Sequence, residues 1–387
     1  MMPLYFLAAI AILLHLGFAG ARVTLSLHAL SLGASPLVVG MVMSLLSLVP
    51  MLFSVQWGRQ IDRIGVQRPM VVGTLLVIAG VSLGAMTTHV EMLLLVSTLT
   101  GSGFMLFHLA ANQTAGQLGR IEERAKNFSV LALAFSTSGF LGPMIAGFSI
   151  DWFGHRATFL MLGIAPVATL ALLRWRPIRL PVDHRARTAA GRKDFFELLR
   201  RPGMRRVFIV SGLISMSWDL FAFVMPIHGS RLGLSASVIG LILGTFGSAI
   251  FFVRLILPLV LHRVKEWKLL IATMFATAFS IVAIAFVTET ALLLTLAFIL
   301  GMGLGGAQPL VMALLYNYAP PGRGAEAVGM RSLIVNGIAA GIPLVFGALG
   351  AALGMVPVFV AMGVALFSGA LYARNEKGTP PRDQTHQ

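Results

Sequence analysis

The sequence predicts an all-α membrane protein in which twelve transmembrane helices form two pseudo-symmetric six-helix bundles. Composition is the first observation that predicts this fold, because the 387 residues are 57% hydrophobic and 11% charged, whereas soluble domains carry roughly 25% charged residues. The second observation is a repeat at a spacing of 200 residues, in which residues 32–40 resemble residues 232–240 and Pro143 returns as Pro343. Paired membrane halves of this kind enclose a central cavity between them.

The apolar segments of the chain have the length of membrane-spanning helices. A helix needs about 20 residues to cross ~30 Å of hydrocarbon, and it satisfies its own backbone hydrogen bonds there. The twelve spans are predicted at residues 7–30, 36–57, 69–87, 90–113, 127–150, 157–174, 207–229, 236–260, 267–287, 290–316, 327–350 and 352–373. The first segment has neither the basic start nor the cleavage site of a signal peptide, so we expect it to be a transmembrane helix.

The basic residues predict the orientation of the chain. If the N-terminus lies in the cytoplasm, the cytoplasmic loops and tail hold 24 Lys and Arg residues, and the outer loops hold only Arg156 and Arg231. This asymmetry predicts that both termini are cytoplasmic. It also accounts for the net charge of +15, so we expect no nucleic-acid partner. The sequence contains no cysteine, which excludes disulfides and thiolate metal sites.

The pattern of spans and charges predicts four regions. We expect an N-terminal six-helix bundle at 1–175, a basic cytoplasmic linker at 176–204, a C-terminal six-helix bundle at 205–375 and a cytoplasmic tail at 376–387. Within the linker, residues 194–201 are typical of a short amphipathic helix on the membrane surface, although a solvated tether fits the same composition. The predicted setting is the lipid bilayer of the bacterial cytoplasmic (inner) membrane, where we expect a multi-pass monomer.

Asp219 is the only acidic residue that lies near the middle of a predicted span. An ionisable residue within the membrane is costly, which makes it a candidate functional residue. One interpretation is that Asp219 carries a proton. A second is that it forms a fixed ion pair with Arg22, because the repeat places these two residues at similar depths in paired helices. A third is that it is a buried acid without a role in transport.

The predicted cavity contains more basic than acidic side chains. His15, Arg22 and Ser26 share one helical face at spacings of four and seven residues. Arg254 and Arg331 add positive charge, which attracts anionic cargo, unless they snorkel to the surface or pair locally, as Arg331 would with Glu326. The candidate substrate- and proton-binding residues are Arg22, Asp219, Ser26, His15, Gln308, Asn336, Arg254 and Arg331.

Two sequence motifs carry a family resemblance. Residues 58–68 read Gly-Arg-Gln-Ile-Asp-Arg-Ile-Gly-Val-Gln-Arg, which resembles the G-x-x-x-D-R-x-G-R-[KR] loop of the major facilitator superfamily. Residues 138–147 read Ser-Gly-Phe-Leu-Gly-Pro-Met-Ile-Ala-Gly, which is similar to the G-x-x-x-G-P-x-x-G-G element of exporters in that superfamily. The resemblance covers about residues 5–373. It implies the twelve-helix fold and transport by alternating access.

The resemblance also implies residues that control the conformational change. Asp62 and Arg63 would latch the outward-facing state against the start of span eleven, whereas in the alternative interpretation the basic residues of the loop act only as topology signals. The small residues and the proline of span five would seal or hinge the outer half, or simply allow close helix packing. The candidate gating residues are Gly58, Asp62, Arg63, Gly65, Arg68, Gly139, Gly142, Pro143 and Gly147.

These observations predict a secondary active transporter for a small organic molecule, and the excess of basic side chains in the cavity favours an anion. Proton-coupled export by antiport is favoured, with the proton as coupling ion and no cofactor. The alternative is proton-linked uptake of an organic anion, and a lipid-handling or metal-importing protein is less favoured. One departure weakens the inference about protons, because Ser97 occupies the position where proton-coupled exporters of this group carry an arginine. The sequence has no P-loop and suggests no hydrolytic triad, so we expect no enzyme.

Overall fold

The computed structural model is all-helical in the residues that it describes. The described residues are 2–119, 123–178, 197–261, 264, 266–320 and 323–375. Their helices are α1 (Met2–Ser31), α2 (Pro36–Ile64), α3 (Gln67–Met86), α4 (Val90–Gln117), α5 (Arg124–Trp175), α6 (Glu197–Arg200), α7 (Pro202–Arg231), α8 (Ala236–Leu261), α9 (Glu266–Ile284), α10 (Thr290–Tyr318), α11 (Gly324–Leu353) and α12 (Met355–Asn375). Within this part of the chain, eleven helices are long and apolar enough to cross a membrane.

α5 crosses the bundle twice. Gly154 interrupts it with a φ of 77° and a ψ of 169°, which lie outside the helical region. Gly142 before this break and Leu162 after it both lie against Gly20 of α1. Two residues that are 20 positions apart in one straight helix would be separated by about 30 Å, so the chain must reverse between them. The two arms of α5, residues 124–153 and 155–175, therefore provide two of twelve crossings, and the predicted fold class is confirmed.

The repeat seen in the sequence is also present in the structure. α7 begins and ends 200 residues after α1, and the turns that follow them contain Gly33 and Gly233, with φ angles of 80° and 73°. Glycine has no Cβ, so it adopts this left-handed conformation without strain. The boundaries proposed for the bundles, linker and tail stay predictions. Residues 179–196 of the linker and the whole tail, 376–387, lie outside the described residues.

The two halves meet at one end of the bundle through backbone contacts. We call this the far end, and the opposite end, where α1 begins and α12 ends, the termini end. A side chain on Gly40 of α2 would overlap the carbonyl oxygen of Pro343 on α11, and a side chain on Gly240 of α8 would overlap the carbonyl oxygen of Pro143 on α5. Small residues allow such close approach. The pseudo-symmetric pair of contacts closes the far end.

At the termini end, α6 connects the end of the linker to the loop before α11. A carboxylate oxygen of Glu197 accepts a hydrogen bond from Arg323 at 2.6 Å, and the other accepts one from Arg201 at 3.1 Å. Hydrogen bonds from Arg201 and Arg323 lower the pKa of Glu197, so the carboxylate stays charged until the pH falls below the usual range of a glutamate. Leu198 is fully buried. Residues 197–200 of the predicted amphipathic segment are thus helical, and residues 194–196 lie outside the described residues.

We predict that Gly240→Val opens the far end. The new side chain meets backbone atoms of Pro143 and Gly147, which cannot move aside as a flexible side chain would. Because the chain has no cysteine, Ala34→Cys and Leu234→Cys can carry spin labels at equivalent far-end loops, and electron resonance distances between them should lengthen.

The control for this prediction is Gly337→Val on α11, because a side chain there meets nothing within 4 Å. An unchanged distance distribution in Gly240→Val, or an equal change in both variants, would show that the glycine contacts do not close the far end.

Candidate functional site

A central cavity of about 1240 Å³ lies between the two halves. Cavities of roughly 300–1,000 Å³ hold drug-sized ligands, so this one accommodates a small organic molecule with water around it. Its wall extends from Arg22 and Pro143 to Phe128 and Met312, which lie nearer the termini end. The glycine contacts close the far end, and the cavity lining continues from there toward the termini end.

Arg22 and Asp219 form an ion pair between the halves. The Nη2 atom of Arg22 lies 3.7 Å from the Oδ1 atom of Asp219, and both side chains are largely buried. Arg22 is on α1 and lines the cavity, whereas Asp219 is on α7. The structure thus brings together the two residues that the repeat places at similar depth. The assignment of a proton carrier or a fixed pair stays a prediction.

Two further arginines direct their guanidinium groups toward neutral partners on the cavity wall. Arg254 of α8 donates to the hydroxyl of Ser136 at 2.6 Å, and across to Gln308 of α10 at 2.9 Å. Arg331 of α11 donates from Nε to the hydroxyl of Ser211 at 2.8 Å. Both arginines line the cavity. Arg254 therefore bridges the halves through Ser136 of α5.

The expected pairing of Arg331 with Glu326 falls on a side chain that lies outside those described. Hydrogen bonds hold the guanidinium groups of Arg254 and Arg331 inside the bundle. In this conformation, neither side chain extends to the membrane surface.

An aromatic cluster forms part of the cavity wall. The rings of Phe18 and Phe104 stack with centroids 4.0 Å apart and planes 10° apart, and Phe135 packs edge-on against His15 at 5.2 Å. His15 also shares a hydrogen bond of 2.7 Å with the hydroxyl of Ser138. Offset-stacked and edge-to-face arrangements are the geometries that aromatic rings favour. This aromatic cluster (Phe18, Phe104, Phe135 and His15) presents ring faces and edges to a planar ligand.

Ser26 and Asn336 lie away from the cavity wall in the part of the chain that the structure describes. Ser26 is fully buried, and its hydroxyl has no hydrogen-bond partner among the described residues. It is one helical turn beyond Arg22 toward the far end, where the halves are in contact, which explains why no cavity reaches it. Asn336 is half-buried on α11. A binding role for either residue stays a prediction.

Comparison with known proteins identifies the family of this fold. The model of the Major Facilitator Superfamily matches residues 7–342 and, separately, 207–387. The chain belongs to the Major Facilitator Superfamily. It is therefore a multi-pass membrane protein and a secondary transporter of small molecules, and not an enzyme.

Individual relatives within the superfamily include efflux pumps. The chain is 22% identical over 293 residues to the multi-drug resistance efflux pump PmrA of Streptococcus pneumoniae, a match that covers 73% of this chain and 71% of that protein. It is 30% identical over 152 residues to the multidrug resistance protein MdtH of Yersinia pestis, which covers 39% of this chain and 38% of that protein.

Solved structures of the superfamily share the fold. The nucleoside transporter NupG superimposes with a TM-score of 0.81 at 15% identity, over 97% of this chain and 100% of that chain. A POT family transporter in complex with a thioalcohol-conjugated peptide superimposes with a TM-score of 0.79 at 14% identity, over 96% of this chain and 95% of that chain. At this level of identity, the likeness establishes the fold alone.

The superfamily loop after α2 is held within the first half in this conformation. Asp62 accepts a hydrogen bond of 3.1 Å from the side chain of Gln113 on α4. Gly65 ends α2 with a φ of 78°, and the side chains of Arg63 and Arg68 are exposed. The implied latch between Asp62 and the start of α11 belongs to the opposite conformation of the transporter and stays a prediction.

The superfamily's Gly-Pro element lies between the cavity and the closed far end. Gly139 is on the cavity wall, and Gly142 packs against Ala19 of α1. Pro143, the next residue, and Gly147, about one helical turn further, meet the backbone of α8. The element therefore contacts both α1 of its own half and α8 of the other half. A role as seal or hinge stays a prediction, and these contacts are the ones such a role requires.

Asp151 is a contact between the halves that sequence reasoning missed. Its carboxylate accepts hydrogen bonds from the backbone N–H groups of Ala236 at 3.1 Å and Ser237 at 2.7 Å. These are the first residues of α8, so an acid on α5 caps a helix of the other half. A carboxylate is favourable there because the first N–H groups of a helix have no partner within the helix. In the sequence, the only indication of this contact was the short Asp-Trp-Phe-Gly segment at residues 151–154, which ends span five.

We predict that Asp151→Ala weakens the closure of the far end. Loss of an N-terminal cap costs about 0.5–2 kcal/mol, which changes an equilibrium between conformations by roughly 2- to 30-fold. Distances between spin labels on Ala34→Cys and Leu234→Cys should show a larger open population. Glu91→Ala is the matched control, because Glu91 is an exposed acid in the first turn of α4 at the same end. Closure that is equally firm in both variants would exclude the cap as a contributor.

Proposed function

We propose that this chain exports a small, ring-bearing organic molecule across the bacterial cytoplasmic membrane in exchange for protons. The observation that carries the proposal is the Arg22–Asp219 pair, an ionisable contact between the halves at the wall of a cavity that is closed at the far end. With the termini in the cytoplasm, as the positive charges predict, this cavity takes up cargo from the cytoplasm. The similarity to the efflux pumps PmrA and MdtH supports the outward direction.

The proposed coupling acts through the pairing of Asp219. While the pair is formed, the positive charge of Arg22 offsets part of the cost of a charged carboxylate inside the membrane, and in the proposed cycle the proton leaves Asp219 toward the cytoplasm in this conformation. When Asp219 is protonated, Arg22 loses its counter-charge, and the tie between α1 and α7 weakens. Removal of one charge from a buried ion pair costs on the order of 3–5 kcal/mol. Protonation of Asp219 can therefore shift the equilibrium between the inward- and outward-facing conformations.

The aromatic cluster supports a cargo with a planar ring. Phe18 and Phe104 are already stacked with each other, and both line the cavity. A ring that packs against them gains about 0.5–1.5 kcal/mol beyond the area that it buries. For exchange with protons, the cargo and the proton must exclude one another. A cationic group, or a neutral group that donates a hydrogen bond to the carboxylate of Asp219, meets that requirement, since either one favours the deprotonated acid.

We predict that Asp219→Asn abolishes proton movement that is driven by cargo, while the protein stays folded and monodisperse. The substitution keeps the size of the side chain and removes the proton-binding group. The measurement is luminal pH in proteoliposomes with an imposed proton gradient, after addition of aromatic ammonium compounds, neutral aromatic alcohols or aromatic carboxylates.

Glu289→Gln, which replaces an exposed acid next to α10, is the control for this measurement and should transport as the parent chain does. Proton movement at the parental rate in Asp219→Asn would show that another group carries the proton.

A second candidate function is proton-linked uptake of an organic anion, which the charge of the cavity favours. Arg22, Arg254 and Arg331 line it, and among them only Arg22 lies in an ion pair with a described acid. An anion that binds Arg22 competes with the carboxylate of Asp219, and protonation of Asp219 releases Arg22 for the anion. The proton and the anion then bind together, because binding linkage is reciprocal. Such cargo moves in the same direction as the proton.

The two functions differ in the effect of Arg22→Gln. Under anion uptake, we predict that transport of aromatic carboxylates is lost and that transport of neutral or cationic compounds changes little. The matched control is Arg156→Gln, which neutralises an exposed arginine after the α5 break. In the same pH assay, a transported carboxylate and the protons should move in the same direction under uptake. Under export by exchange, they should move in opposite directions. Equal loss for all three classes of compound in Arg22→Gln would remove the argument for anionic cargo.

A further inference from the structure

A second cavity lies outside the transport pathway, at the termini end of the second half. It has a volume of about 600 Å³ and is formed where α7, α9, α10 and α12 meet. Its wall includes three basic residues, Arg206, Lys268 and Arg374, and the aromatic residues Trp267 and Tyr318. We call it the interfacial cleft. Since each of these residues lies within a few positions of a helix end, the cleft is at the level where the bilayer meets water.

The basic side chains of the interfacial cleft are arranged by depth. Arg206 is 5% exposed, and its guanidinium carbon lies 4.1 Å from the centre of the Trp267 ring. Lys268 and Arg374 are exposed at the rim. The described residues that line the cleft include no acidic side chain. Three positive charges without a lining acid attract a ligand with negative charge, and the cation–π contact holds the deepest of them in place.

The floor of the interfacial cleft is apolar and continues toward the bilayer core. Ile271 and Phe275 also line the cleft, and they follow Trp267 along α9 by about 6 and 12 Å at 1.5 Å per residue. The indole of Trp267 donates a hydrogen bond of 3.2 Å to the hydroxyl of Tyr318. Tryptophan and tyrosine are typical of the headgroup level of a membrane. A ligand that fits must therefore combine an anionic end with an apolar chain.

The equivalent place in the first half has different chemistry. At the 200-residue offset, Gln67 corresponds to Trp267, and Phe6 corresponds to Arg206. The side-chain amide of Gln67 bonds the last turn of α5 and the chain after it, since its nitrogen donates to the carbonyl of Leu173 and its oxygen accepts from the N–H of Ile178, each at 2.8 Å. The first half thus covers this position with its own backbone. Lys268 and Arg374 have the basic counterparts Arg68 and Arg174, so what distinguishes the second half is the buried Arg206 and its contact with the ring of Trp267.

We propose that the interfacial cleft binds the headgroup of an anionic phospholipid from the leaflet at the termini end, with an acyl chain along Ile271 and Phe275. Basic pockets between transmembrane helices at this level are suited to anionic headgroups. Free inorganic phosphate would satisfy the charges and leave the apolar floor unused. The occupied cleft joins α7, which carries Asp219, to α10, which carries Gln308, so the lipid contacts two helices of the transport site.

The experiment is native mass spectrometry of the full chain in detergent micelles with phosphatidylglycerol or phosphatidylcholine of the same acyl chains. We expect selective retention of phosphatidylglycerol by the parent chain. The double variant Lys268→Gln with Arg374→Gln changes only exposed side chains, and each neutralisation should weaken retention by about fivefold. Adding Arg206→Gln should abolish the selectivity. The control double variant is Arg174→Gln with Arg176→Gln, two exposed arginines at the termini end of the first half.

Three outcomes would overturn the proposal. Equal losses in the two double variants would mean that general surface charge, and not the interfacial cleft, selects the lipid. Full displacement of phosphatidylglycerol by millimolar inorganic phosphate would identify a simple anion site. Binding that appears only after truncation at residue 375 would show that the chain's own tail occupies the cleft.

A second readout locates the lipid. Phosphatidylglycerol that carries bromine near the headgroup end of its acyl chains should quench the fluorescence of the parent chain more than that of Trp267→Phe. This difference should disappear in Lys268→Gln with Arg374→Gln. Quenching that is the same with and without Trp267 would place the retained lipid elsewhere on the protein and contradict the assignment.

Discussion

The cost of placing charged side chains inside a hydrocarbon slab is the constraint on which the rest of this structure depends. Arg22, Asp219, Arg254 and Arg331 all lie within transmembrane helices, where lipid cannot solvate them. The bundle therefore has to surround them with protein and water. The cavity supplies the space for water, and the arginines are bonded by serine hydroxyls, the amide of Gln308 and the carboxylate of Asp219. The same requirement explains why α3, α9 and α12, which pack on the outside of the cavity helices, carry their charges at their ends. The charged side chains, which are costly to bury in the membrane, therefore lie where cargo can bind them.

Closure at the far end rests on close packing of α2 against α11 and of α5 against α8, together with one helix cap. Gly40 and Gly240 let helices of opposite halves approach until backbone touches backbone, and Asp151 adds a charged cap to the start of α8. Contacts of this type are short-ranged and are lost after a small displacement. The halves can therefore separate at this end without unpacking either bundle. Because the two glycine contacts are related by pseudo-symmetry, they oppose tilting of either half about the closed end.

Much of the fold could be predicted from the sequence, and less of the site. Apolar runs of membrane length and the 200-residue repeat were sufficient for the twelve crossings, because both are properties of the chain read in order. The repeat placed Arg22 and Asp219 at similar depths in paired helices, but it could not predict that the two side chains are in contact. The side-chain neighbours of Arg254 and the aromatic cluster could not be predicted, since apolar and aromatic residues occur on every face of such helices and periodicity does not separate a cavity wall from a helix contact. Ser26 shows the converse: it shares the helical face of Arg22 but lies beyond the point where the halves meet.

The duplicated scaffold and the chemistry of the site have separate origins in the sequence. At the 200-residue offset, Arg22 corresponds to Ala222, Asp219 to Ala19, Arg254 to Ser54 and Arg331 to Leu131, so no charged residue of the transport site has a charged counterpart in the other half. The glycines, prolines and turns that let the halves move do have counterparts. The repeat relates the two halves about an axis along the membrane normal, so it places equivalent contact and turn residues of both halves at the same end. The charged residues of the site are not duplicated, because equivalent charges on the two halves would repel one another across the cavity. The arginines of the second half and the aromatic cluster of the first half line the same cavity, so a cargo that combines a ring with a polar group can contact both.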